Sequence, residues 1–123
     1  MGFFKSLFGS DPNGKVFKLD SNHNVYYKGE GVTELDAAHT GGFFKGFGYF
    51  KDDNSIDVQI TSPTGKPNEL KVNFIVNPQY VKPETGEYFK TMVIAMHDLF
   101  PQKKLSAALV DPNFRVISDL GYL

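Results

Sequence analysis

Two alternating stretches constrain this chain most. Ile56, Val58 and Ile60 recur at every second position, as do Leu70, Val72, Phe74 and Val76, and Pro63-Thr-Gly-Lys-Pro67 lies between the two runs. Successive side chains of a strand point to opposite faces, so each run places its apolar residues on one side. Proline and glycine between two such runs predict a half-buried antiparallel hairpin. The intervening residues Asp57, Gln59, Lys71 and Asn73 fall on the other face, which is expected to be polar. The apolar face needs a second layer to cover it.

Two helices can supply that layer. Thr33-Glu-Leu-Asp36 has the form of a capping box, with acidic side chains at the positive end of a helix. Leu35, Ala38, Gly42, Phe43 and Phe47 follow three- and four-residue steps along one face, and Gly48 can end the helix. Gly41, Gly42 and Gly46 each weaken it by about 1 kcal/mol relative to alanine, so packing must hold it. After a proline-containing stretch from Asn77 to Pro83, the segment from Glu87 to Phe100 carries Tyr88, Phe89, Met92, Met96, Leu99 and Phe100 at helical spacing, and Pro101 closes it. Short strands are expected from Val16 to Leu19 and from Asn24 to Lys28, and a final hairpin from Leu105 to Leu120 around Asp111-Pro-Asn113. The order predicts an α+β fold: an antiparallel sheet built from hairpins, with two helices packed on one face and the other face open. The two helix-hairpin halves suggest duplicated structure, although no sequence repeat matches them.

A chain of 123 residues, 41% of them hydrophobic, fills one core. The expected organisation is an apolar N-terminal segment and turn over residues 1–14 and a single α+β domain over 15–123. In the first segment Phe3, Phe4, Leu7 and Phe8 form an apolar stripe at helical spacing. It is too short to span a bilayer and lacks the features of a signal peptide. Such a stripe suits contact with a membrane surface or a partner, but the single cation Lys5 favours a terminal turn packed on the core.

Thirteen basic and fourteen acidic residues leave a net charge of -1, so no global attraction to nucleic acid or anionic membrane is expected. With no cysteine, disulfides, thiolate nucleophiles and cysteine-ligated zinc are excluded, and the expected location is cytoplasmic. His23, His39 and His97 are too scattered for a metal site or a hydrolytic triad. His97 and Asp98 diverge by about 100° on a helix and cannot readily pair. Asp52, Asp53, Glu84 and Glu87 lie in turn or helix-start contexts where acids are common for local reasons. The glycines Gly29, Gly31, Gly41 and Gly42 lack the lysine and hydroxyl residue of a phosphate loop. No catalytic residue, metal or cofactor is expected.

One string competes with this reading. Lys45-Gly-Phe-Gly-Tyr-Phe50 resembles the start of the ribonucleoprotein motif of RNA-recognition and cold-shock domains, and Asp57-Val-Gln-Ile60 is loosely similar to the strand that follows it in cold-shock proteins. The resemblance implies a single-stranded nucleic-acid binder using Lys45, Phe47, Tyr49 and Phe50, with aromatic rings stacking on bases. The order of elements departs from both families. In the competing reading Phe43 and Phe47 are core, Gly48 stops the helix, and Tyr49 and Phe50 lead into the hairpin.

Val25-Tyr-Tyr27, Val32-Thr-Glu34, Ala37-Ala38 and Gly48-Tyr-Phe50 together resemble a pattern of strand, Thr-Glu capped helix, Gly-Tyr-Phe stop and hairpin that recurs in small uncharacterised bacterial α+β proteins. The resemblance covers Val25 to Val76 and implies a fold, with no activity, ligand or site attached. The leading expectation is a non-enzymatic protein-binding or adaptor module, of which toxin neutralisation is one form. Its partner would be another protein, docking on Asp57, Gln59, Lys71 and Asn73 or along a strand edge. The alternative is the nucleic-acid binder.

Overall fold

The computed structural model describes residues 13–123. The expectations for Phe3, Phe4, Leu7 and Phe8 lie outside those residues. The elements are β1 (Lys15–Lys18), β2 (His23–Lys28), α1 (Glu34–Phe47), β3 (Ile56–Thr61), β4 (Glu69–Ile75), α2 (Pro83–Ala95), β5 (Lys104–Val110) and β6 (Val116–Tyr122). The six strands of the described residues join one sheet in the order of the sequence, β1-β2-β3-β4-β5-β6. The alternating runs pair as their periodicity predicts: β3 and β4 are antiparallel, with Val58 opposite Phe74 and Ile60 opposite Val72.

The sheet is mixed, and this corrects the expectation of a purely antiparallel one. The β1-β2, β3-β4 and β5-β6 pairs are antiparallel, but β2 runs parallel to β3, and β4 to β5. A tight hairpin reverses the chain, whereas a helical crossover carries it back to the end where the previous strand began. Each helix here joins two neighbouring strands, so each imposes one parallel pair.

Local chemistry fixes α1 at both ends. The Thr33 hydroxyl accepts from the Asp36 amide at 3.1 Å, while the Asp36 carboxylate accepts from the Thr33 amide at 3.0 Å. Gly48, with φ at 93°, turns the chain out of the helix in the left-handed conformation that glycine adopts without strain. The buried stripe of α1 is Ala37, Thr40, Gly41 and Phe44, displaced by about one residue from the expected one. Phe47 is exposed, Phe43 is half-buried, and Leu35 is 62% exposed. Gly41 faces the first two strands, and a methyl group there would lie 3.4 Å from both Leu19 and Val25. The helix sets its smallest residues against β2 and brings Phe44 to the core.

The second helix begins at Pro83, before the expected start at Glu87. Proline at the first helical position has no amide to leave unpaired. The Thr85 hydroxyl accepts from the Lys82 amide at 3.0 Å. Beyond Ala95 the chain tightens into a 3-10 turn over Met96–Asp98. Phe89, Met92, Val93 and Met96 are buried, whereas Tyr88 faces outward.

Phe74 marks where the layers meet. Phe44 of α1 lies 5.7 Å from its ring centre and Phe89 of α2 lies 4.3 Å from it. Both helices therefore pack on the sheet face that also carries Val25, Val58, Ile60, Leu70, Val72, Leu105 and Leu109. Among the described residues no helix is long and apolar enough to cross a membrane.

Candidate functional site

The face away from the helices carries the four polar residues that the alternation singles out. Register aligns Tyr26, Gln59, Asn73 and Ala108 in one row across four strands. Gln59 and Asn73 are buried. The Gln59 amide donates to the Asn13 carbonyl at 3.0 Å, and its oxygen accepts from Asn73 Nδ2 at 2.9 Å. That sequence of donations orients both amides and leaves Asn73 Oδ1 buried without a partner among the described residues. Asp57 and Lys71 are only half-buried. Asp57 accepts from the backbone and side-chain nitrogens of Asn24 at 3.1 and 3.0 Å. Lys71 lies 3.7 Å from Asp119. All four side chains thus serve contacts within the fold.

The β5-β6 turn reaches over the same face. Asp111 Oδ1 accepts from the amides of Asn113 and Arg115 at 2.8 and 3.0 Å. The turn holds Phe114 at φ 65°, a conformation that bulky residues rarely adopt. It sets the Phe114 ring edge-on to Tyr26 at 5.4 Å. A cleft of about 460 Å³ opens beside Phe114, Gln59, Thr61 and Lys28.

The glycine-aromatic string is divided by the fold. Lys45 and Phe47 are exposed, but Tyr49 and Phe50 lie in the core. Tyr49 packs edge-on against Phe44, Phe74 and Phe89, and Phe50 packs on Phe44. Burial, with a smaller contribution from Tyr88, pushes the Tyr49 hydroxyl well above the usual tyrosine range. A base cannot stack on either ring without displacing core neighbours. Only Phe47 of the three aromatics offers a free surface.

A different aromatic group is accessible. Tyr80 ends a 3-10 turn over Pro78–Tyr80, which Asn77 caps by accepting from the Gln79 amide at 3.0 Å. One helical turn into α2, Tyr88 stands out from the surface. The two rings are 72% and 47% exposed. Between them lies a hollow of about 390 Å³ whose lining includes Val76, Val81, Glu84 and the buried Phe89. Tyr88 leans on Phe89 at 5.3 Å and on Tyr49 at 6.5 Å, so its position is fixed from beneath. Helical periodicity alone assigns Tyr88 to the buried stripe. The proline-initiated start of α2 at Pro83 and the exposed Pro78-Gln-Tyr80 turn were the available signals for this surface.

Among the described residues no three histidine, cysteine or carboxylate side chains gather where they could hold a metal ion. Compared with known protein families, curated proteins and solved structures, the chain matches none.

Proposed function

We propose that this chain is a non-enzymatic protein-binding module whose contact surface is the hollow between Tyr80 and Tyr88. The observation that carries this reading is an apolar depression with two exposed tyrosines beside it and the core residue Phe89 in its lining. Tyrosine presents a large, rigid contact area with a hydroxyl at its end, and it is enriched among the residues that dominate binding energy. The hollow suits an apolar anchor side chain from a partner. Glu84 beside it favours a basic residue next to that anchor.

The test compares baits rather than single captures. Wild-type protein, Y80A and K71A are used side by side on lysate of the source cells, with bound proteins quantified by mass spectrometry. A partner retained by wild type and K71A but lost from Y80A supports the reading. Equal recovery on all three baits removes the hollow as the contact surface. Tyr80 is the residue to change because its exposure leaves the core untouched. Salt-sensitive binding of single-stranded oligonucleotide would instead favour the nucleic-acid alternative, since phosphate contacts release counterions.

A further inference from the structure

His23 is buried at the start of β2, and both of its ring nitrogens face acceptors. Nδ1 lies 2.8 and 3.0 Å from the two carboxylate oxygens of Asp20, in the β1-β2 turn. Nε2 lies 2.7 Å from Asn54 Oδ1, in the α1-β3 connection. The Asn54 amide cannot be reversed at no cost, because its other contacts fix it: Nδ2 donates to the Tyr49 carbonyl and Oδ1 also accepts from the Lys51 amide, both at 3.1 Å. A neutral imidazole has one N–H and would leave a lone pair facing one of these acceptors. Only the imidazolium donates to both. The ring also stacks on Phe50 at 4.6 Å, with 19° between the planes.

We infer that His23 is a charged latch: as an imidazolium it ties the β1-β2 turn to the α1-β3 connection, and loss of its second proton releases Asn54 and the segment around it. The segment at stake includes Tyr49 and Phe50, which are wedged between α1, α2 and β4. The charged groups acting on the ring are Asp20 from the β1-β2 turn and Asp57 from β3. The α1-β3 connection contributes the neutral amide of Asn54, and Phe50 contributes an uncharged face. Burial pulls the His23 pKa down, but the bonds to Asn54 and Asp20 and the two negative charges outweigh it, leaving the pKa above the ordinary 6.5. The latch does not depend on the tyrosine surface, and the two readings fail separately.

The experiment is a pH titration of ¹⁵N-labelled protein by NMR across about pH 5 to 8, the range in which histidine changes charge. Wild type should show both His23 ring nitrogens protonated at about pH 6. The Lys51 backbone and Asn54 side-chain amide signals should move with the same midpoint as the ring. D20N removes one of the two negative charges and should lower that midpoint by about one unit or more. H23F keeps an aromatic face against Phe50 but cannot titrate, so its Lys51 and Asn54 signals should be flat in this range. If H23F does not fold, wild type and D20N still decide the matter. A ring carrying one proton at about pH 6, an unchanged midpoint in D20N, or Lys51 and Asn54 signals indifferent to the ring would each overturn the latch.

Discussion

Phe74 has aromatic neighbours from both helices and from the segment that follows α1, with Phe44, Tyr49 and Phe89 around its ring. Truncating it would open a cavity shared by all three. F74A should lower stability by about 3 to 5 kcal/mol, read from the urea midpoint. The glycines of α1 make the opposite prediction. A methyl group at Gly42 or Gly46 meets nothing within 4 Å among the described residues, so G42A and G46A should each add about 0.5 to 1 kcal/mol by reducing the entropy lost on folding. Gly41 differs, since its methyl would meet Leu19 and Val25 at van der Waals contact distance rather than open space. The buried face of α1 was poorly legible in the sequence because it contains Thr40 and Gly41, which no hydrophobicity pattern selects. Thr40 is tolerated there because its hydroxyl donates to the Asp36 carbonyl at 2.8 Å. Leu35 and Phe47, which such a pattern does select, point outward.

At the scale of elements, turn and cap chemistry carried most of the information. The Thr33 cap, the Gly48 stop and the β3-β4 hairpin all occur where residue types place them. T33A removes the acceptor for the Asp36 amide and should cost about 1 kcal/mol, measurable as a lower denaturation midpoint. Strand direction was less legible. Alternation reports which face a residue occupies but not whether the neighbouring strand runs with or against it, and the two parallel pairs follow only from combining each helix with its flanking strands. The contacts of His23 were also hidden, since Asn54 lies thirty-one positions away. Nothing in the local string around His23 marks it as buried.

For the whole molecule, the His23–Asp20 pair sets a stability window. The folded-state pKa of His23 is raised, so its contribution is full below 6.5 and disappears as pH rises through the folded value. Asp20 is held below its ordinary 3.8, chiefly by the His23 hydrogen bond and then by the Asn22 amide. Its contribution is present above 3.8 and disappears as pH falls through the lower folded value. The difference in urea midpoint between wild type and H23F should therefore be widest between these limits and shrink on either side. A difference independent of pH would show that the ring acts by packing alone.

The two edges of the sheet are unlike. β1 is four residues long and has lysine at both ends, a pattern that discourages pairing with another chain. β6 is seven residues long and exposes Val116, Ile117 and Tyr122, with register shifts that interrupt its ladder to β5. Those irregularities bend the strand and so limit how much of its edge another strand can follow.

Because the strands lie in the sheet in the order in which they occur in the chain, no strand must wait for a distant one to be made. Each can add to an edge laid down just before it, and every loop that must close spans one turn or one helix, which keeps the entropy of closure small.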